Sequence, residues 1–183
     1  MKSKIFLISD LHLDHYNIIK YCNRPFSSVR EMNYLIVNNW NTTVKDNDIV
    51  YFLGDMSFGK GSRKADYWLK KLNGKIIFIK GSHDKCKNIK FFNEYILEHN
   101  NIKFLLIHNP DNLTKNWNGW IIHGHYHNHD LENYPLINRE KRRINVSVEL
   151  INYKPLDIEK LVSNENKSGE NKSGFNRIKI KEI

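Results

Sequence analysis

Six of the nine histidines, together with several carboxylates, fall where apolar runs stop. Residues 5–9 lead into Asp10-Leu11-His12, residues 48–53 into Gly54-Asp55, and residues 75–80 into Gly81-Ser82-His83-Asp84. Later runs reach His108 and then His123-Gly124-His125-Tyr126-His127. Imidazoles mixed with carboxylates, without thiolates, suit Mn, Fe, Zn, Ni or Co. Asp10 and His12 lie two apart, as do His125 and His127; on an extended backbone alternate side chains share a side, so each pair would feed one site. A carboxylate between two metals bridges them at roughly 3.5–4 Å, the spacing for in-line displacement at phosphorus. Taken singly, Asp-x-His reads as a cap, Gly-Asp as a turn and His108 as a core histidine. The ordered series carries the information.

The elements that must position these residues are legible in outline. Residues 5–9, 48–53 and 75–80 are compact apolar runs of the kind that form buried strands. Residues 29–43 place Met32, Leu35, Ile36 and Trp40 at helical spacing, and residues 63–72 place Ala65, Trp68, Leu69 and Leu72 on one stripe before Asn73-Gly74. Residues 95–98, 102–107, 119–123 and 144–150 read as strands, with Asn100-Asn101 as a hairpin turn. Alternation of strand and helix followed by mostly strand fits a layered α/β sandwich better than one doubly wound sheet. Sites in open α/β sheets form beyond the carboxyl ends of strands, where these motifs sit.

The chain has 183 residues, enough for one domain with a real core. Lys and Arg number 29 against 20 Asp and Glu, giving a net charge of +9. Such an excess is compatible with a phosphate-bearing partner, and equally with simply solvated charge. Cys22 and Cys86 form no C-x-x-C pair, which argues against a disulfide framework or thiolate zinc and for reduced thiols in the cytoplasm. The apolar run near the start is too short for a signal peptide, and no stretch approaches membrane-spanning length. Residues 1–162 are read as the domain. After it Glu-Asn-Lys-Ser-Gly occurs twice in tandem, so 163–183 reads as a polar linker with a short basic and apolar end.

The series Asp-x-His, Gly-Asp, Gly-Ser-His-Asp, a separate His and Gly-His-x-His resembles the calcineurin-like metallophosphoesterase family. The stretches Ser9-Asp10-Leu11-His12-Leu13-Asp14-His15, Arg24-Pro25-Phe26 and Ile144-Asn145-Val146-Ser147-Val148 are similar to its small stand-alone members from bacteria, archaea and phages. The resemblance implies a four-layer α/β/β/α sandwich of two mixed sheets flanked by helices. It implies two divalent ions, with manganese favoured among Mn, Fe, Ni, Co and Zn. One would be held by Asp10, His12, Asp55 and His127, the other by Asp55, His108 and His125. It further implies hydrolysis of phosphomonoesters or phosphodiesters by a hydroxide bridging the two ions. His83 would act on the phosphate or the leaving oxygen, with Asp84 orienting its ring.

One position departs from the pattern. The family's Asn ligand to the second metal is replaced by Ser82, whose hydroxyl is shorter and a poorer donor, so a weaker second metal is expected. Around the core, His15 and Arg24 are candidates for gripping phosphate, Arg24 alternatively for a salt bridge. His123 either orients a ligand histidine or is packed. Trp117, Trp120 and Tyr126 either stack on a base or belong to the core. Two other functional readings stand: a catalytically weak scaffold of the same fold, and a nuclease acting on DNA or RNA. Nucleotides and cyclic nucleotides are among the expected substrates.

Overall fold

The computed structural model describes residues 2–114 and 116–162; the tandem repeat and the segment after it lie outside the described residues. In chain order the elements are β1 (Ile5–Ile8), α1 (Tyr16–Tyr21), α2 (Val29–Thr43), β2 (Ile49–Phe52), α3 (Ala65–Leu69), β3 (Lys75–Ile79), β4 (Phe91–Phe92), β5 (Glu94–His99), β6 (Ile102–Ile107), β7 (Trp120–His123), β8 (Ile137–Asn138), β9 (Arg143–Asn145) and β10 (Leu156–Asp157). They form two five-stranded mixed sheets. The first has the order β10-β1-β2-β3-β4, parallel except for β10 at one edge. The second has the order β5-β6-β7-β9-β8, with β6, β7 and β9 parallel and an antiparallel strand at either edge.

Strand periodicity explains the layering. In β2, the Tyr51 ring lies 5.2 Å from that of Tyr95 in β5, whereas Phe52 lies 6.3 Å from Trp40 in α2. Neighbouring side chains of one strand thus face opposite layers, one towards the second sheet and one towards the helix. Helix α2 contributes Met32, Ile36 and Trp40, four apart and fully buried. It starts where Ser28 accepts from the Glu31 N–H at 3.1 Å and the Glu31 carboxylate accepts from the Ser27 N–H at 2.7 Å. In the second sheet, Phe104, Leu106 and Ile122 join the main core, while Leu105, Ile107 and Ile121 form a separate outer cluster.

Leu113 and Trp117 cover that outer cluster. Among the described residues, the segment over this face carries one 3-10 turn, Pro110–Asn112. No helix among the described residues is long and apolar enough to cross a membrane.

Most expected elements are present, with two physical corrections. The expected strand over 144–150 ends at Asn145, whose carboxamide oxygen accepts from the Ser147 N–H (3.1 Å) and turns the chain. A 3-10 helix, Val148–Ile151, follows and carries Glu149 inward. Helix α3 also starts later than the stripe over 63–72, because Arg63 is held outside it by Asp14, and it ends at Leu69. The Arg63 N–H and Nε both donate to Asp14 Oδ2 at 2.9 Å. The Asn100-Asn101 hairpin holds, with φ of 49° and 61° at the two asparagines, as the hand of a tight two-residue turn requires.

A candidate metal centre at the seam of the two sheets

Every expected ligand, Ser82 included, lies on a loop that follows a strand, and these loops meet where the two sheets abut. The seam is hydrogen-bonded. Ser9 N–H donates to Val146 O (3.0 Å) and Val148 N–H to Ser9 O (3.2 Å) across it; within the first sheet's loops Asp10 N–H donates to Gly54 O (2.9 Å) and His12 N–H to Asp55 O (3.0 Å), and within the second's Gly124 N–H to His108 O (3.0 Å). The backbone geometry, however, is not the extended one expected. Asp10, His12, Asp55, His125 and His127 have φ of 60°, 48°, 60°, 74° and 51°, all in the left-handed region. Each pair therefore converges through tight left-handed turns rather than by strand alternation. Such residues cost of order 1–3 kcal/mol each and persist where surrounding contacts over-determine them.

Two glycines give the ligands room. A Cβ on Gly124 would overlap Ser9 Oγ and Asp10 Oδ2, and one on Gly81 would overlap the Asp55 carboxylate and amide. Glycine at these two positions is thus a steric requirement of the neighbouring ligands.

The donor atoms are arranged for cations. Asp10 is wholly buried, and its Oδ2 accepts from Ser9 Oγ, from Ser147 Oγ (2.9 Å) and from the His125 N–H (3.0 Å). Its Oδ1 has no hydrogen-bond partner and faces His127 Nε2 at 3.8 Å and His12 Nε2 at 4.0 Å. Both ring nitrogens of His12 are buried without partners, and burial pushes its pKa down to about 3, so the ring is neutral with a lone pair available. Asp55 Oδ1 accepts from the His83 N–H at 2.8 Å. Its Oδ2 faces three imidazoles: His108 Nε2 at 3.4 Å, His12 Nε2 at 3.6 Å and His83 Nε2 at 4.0 Å.

His108 Nδ1 donates to Leu53 O (2.7 Å), because a carbonyl can only accept; this turns Nε2 towards Asp55. Burial lowers the His108 pKa, but the bond to Asp55 outweighs it and carries the value up to about 9. Burial would likewise raise Asp55, yet the His108 contact holds it well below the usual carboxylate range. His125 Nδ1 sits 3.3 Å from His108 Nε2, and its half-buried ring is shifted down by burial. Donor atoms of Asp10, His12 and His127 lie within 4.8 Å of one another, as do those of Asp10, Asp55 and His108.

A bare buried carboxylate oxygen beside unpartnered imidazole nitrogens is costly unless a cation completes it. The donor set, hard oxygen plus imidazole, therefore fits two neighbouring divalent transition metals.

Glu149 was not among the expected site residues. Its buried Oε1 accepts from His127 Nδ1 (3.0 Å), from Arg24 Nε (2.9 Å) and from Arg24 Nη2 (2.6 Å). Burial would raise its pKa, but His127 and Arg24 hold it at about 2. The His127 ring is lowered by burial and raised more strongly by Asp10, Cys22 and Glu149, to about 11. A carboxylate behind a ligand histidine fixes both the orientation of the ring and which nitrogen faces the metal.

Arg24 takes the salt-bridge alternative, not the phosphate grip. Its guanidinium is buried, with Nη1 donating to Leu11 O and Nη2 to Asp10 O, each at 2.8 Å, so its donors are spent on the first ligand loop. Asp84 also differs from expectation. Its carboxylate accepts from the N–H groups of Asp55 (2.7 Å), Gly81 (2.8 Å) and Met56 (3.2 Å), bracing two ligand loops rather than the His83 ring. Burial raises its pKa against those donors.

His83 is exposed above the pair of donor sets, its ring 4.0 Å from that of Phe58 and 5.7 Å from His12. His15 packs beside Phe58 at 4.9 Å on the wall of an open cleft of about 630 Å³. Ser82 is exposed. His123 is packed: fully buried, Nδ1 on Gly124 O, its ring edge-on to Tyr126 and Tyr134. Trp120 packs on the main core and Trp117 on the outer cluster, while Tyr126 is stacked flat on Tyr134 at 3.5 Å.

Comparison with known proteins finds a family and relatives that this chain resembles. The pattern of the family described as calcineurin-like phosphoesterase matches residues 3–174. An uncharacterized protein of Methanocaldococcus jannaschii, MJ1445, is 55% identical over 161 residues, covering 87% of this chain and 89% of its own length. The gene 66 protein of Mycobacterium phage L5 is 32% identical over 84 residues, covering 45% of this chain and 40% of that protein. Among solved structures, the Aquifex aeolicus protein AQ665, of unknown function, aligns with a TM-score of 0.64 and 26% identity, over 88% of this chain and 100% of that one. The ordered ligand loops, the paired sheets and the matched span together make this chain a member of the calcineurin-like phosphoesterase family of metal-dependent hydrolases.

Proposed function

We propose that the chain hydrolyses phosphomonoesters or phosphodiesters with two divalent ions, manganese being favoured. The observation that carries this is the Asp55 carboxylate, one oxygen of which faces imidazoles from both donor sets. In this reading Asp10, His12, Asp55 and His127 hold one ion, and Asp55, His108 and His125 hold the other. When bound, such a pair supplies positive charge opposite the phosphoryl oxygens and a nucleophile from water near neutral pH.

The chain's own residues do the rest. Glu149 and Leu53 fix the ring orientations of His127 and His108. Arg24 and Asp84 hold the ligand loops still. His83, exposed on the open side, donates a proton to the departing oxygen, and His15 borders the space where the ester sits. Ser82 replaces an amide ligand with a shorter hydroxyl, so the ion on the His108 side is bound more weakly. The free thiols Cys22 and Cys86 suit the reducing cytoplasm.

The test is a phosphoester panel with Mn²⁺, Ni²⁺, Co²⁺, Fe²⁺ and Zn²⁺ on the parent and on Asp55→Asn. Loss of at least about a hundredfold in rate is expected, since the variant weakens both ion sites at once. An unchanged rate would exclude two-metal hydrolysis. Nucleic-acid cleavage is the second reading, supported by the net charge of +9; it requires a steep salt dependence on DNA or RNA that an aryl phosphate ester does not show.

A further inference from the structure

The cleft of about 630 Å³ adjoins the candidate metal centre at His83, which lines it together with His15. Its wall includes three exposed lysines, Lys60, Lys64 and Lys85, and two exposed aromatic rings, Tyr16 and Phe58. No acidic side chain among the described residues pairs with these lysines. The two carboxylates on the wall are already engaged. Asp14 is bound by Arg63 and Asn33, and Asp84 accepts three backbone N–H groups. The cleft thus combines uncompensated positive charge with π faces. Phe58 lies directly against the His83 ring, so the aromatic wall begins where a departing group would be protonated.

In an in-line displacement the leaving group departs opposite the attacking oxygen, and the group that protonates it stands on the departing side. Resting on the reading of His83 given above, the cleft is where the leaving group lies.

We infer that the cleft binds a nucleotide leaving group, a base between Tyr16 and Phe58 carrying a second phosphate held by Lys60, Lys64 and Lys85. Base stacking on exposed aromatic side chains and Lys attraction to a phosphate dianion are additive recognition elements. A leaving group that is a plain alcohol, or a nucleoside without its own phosphate, uses only part of the cleft.

The test separates binding from chemistry. Adenosine 5′-monophosphate, which stands for the departing product, and adenosine are titrated into the full chain by calorimetry at low salt. The same titrations are made on the variant Lys60→Ala/Lys64→Ala/Lys85→Ala, which leaves every proposed metal ligand and His83 untouched. The nucleotide should bind the parent at least about tenfold tighter than the nucleoside, and raising the salt should erode the difference. In the triple variant the preference should vanish. Equal binding of the two by the parent, or a preference that survives the triple substitution, overturns the inference. In parallel, p-nitrophenyl phosphate hydrolysis is followed in both proteins with Mn²⁺. Its rate should fall by a smaller factor in the triple variant than nucleotide affinity does, since that leaving group has no second phosphate; an equal or larger loss would overturn the assignment of the lysines to a second phosphate. Absence of hydrolysis in both would refute the phosphoesterase reading, while the titrations would still decide for or against the nucleotide subsite.

Discussion

Glu149 offers the sharpest test of how the centre is held. Replacing it with Ala removes the acceptor of His127 Nδ1 and the counter-ion of Arg24 in one step. Both side chains of the Arg24–Glu149 pair are almost fully buried, at 0% and 2% exposure, so water cannot take over. Stripping one partner from such a pair costs about 3–5 kcal/mol, because the other charge stays behind unpaired. In a chain of this size each kcal/mol lowers Tm by about 2–4 °C, so Tm should fall by about 6–20 °C. The released His127 ring should also weaken Mn²⁺ binding by about 10–100-fold. Glu149→Gln keeps an oxygen for His127 and loses the charge opposite Arg24; its stability should fall while its metal affinity stays nearer the parent's. Thermal melts and metal titrations well below each Tm would read the two effects apart. Metal affinity in Glu149→Ala within about twofold of the parent, against the 10–100-fold expected, would refute the claim that this carboxylate sets the His127 ring.

Three further outcomes follow from the same geometry. Gly124→Ala should destabilise the protein by about 1–3 kcal/mol in thermal melts, since its methyl would overlap Ser9 Oγ and the Asp10 carboxylate. In metal-free protein the His108 pKa, carried to about 9, lies above its unfolded value near 6.5. The stability this contributes, on the order of 3 kcal/mol, is fully present below about pH 6.5 and is lost as pH rises through about 9. Denaturant unfolding across that window would detect it, and a flat profile would count against a protonated His108. Ser82→Asn should raise the number of tightly held Mn²⁺ ions per chain and the phosphoesterase rate; no change in either would show that position 82 does not limit the second ion.

The candidate centre was legible because the residues expected to be its ligands stand out by type. Histidine and aspartate directly after apolar runs are unusual enough in series to be read without coordinates, and residues 29–43 match the helix found because its apolar positions recur every four residues. What lay hidden depends on contacts between distant residues. Glu149 acts on Arg24, 125 positions away, and sits in a stretch whose apolar pattern suggests strand but whose Asn145 side chain turns it into a 3-10 helix. Arg24 and Asp84 are polar residues near ligands, and only the partners of their hydrogen bonds show that they brace loops. Left-handed φ at five of the expected ligand positions is only faintly legible in sequence, because Asp and His are enriched in that region but mark it far more weakly than glycine does.

The carboxylates and imidazoles proposed as ligands divide evenly across the seam. Asp10, His12 and Asp55 come from loops of the first sheet, and His108, His125 and His127 from loops of the second. In the proposed assignment each ion takes ligands from both halves, so the distance between donor atoms is a ruler for the alignment of the two sheets. A slide of one layer over the other, too small to alter either sheet internally, would part the halves and be felt at once in ion affinity. On that assignment, packing between the layers, such as Tyr51 against Tyr95, would be coupled to metal retention, which would then gauge how firmly the layers are locked.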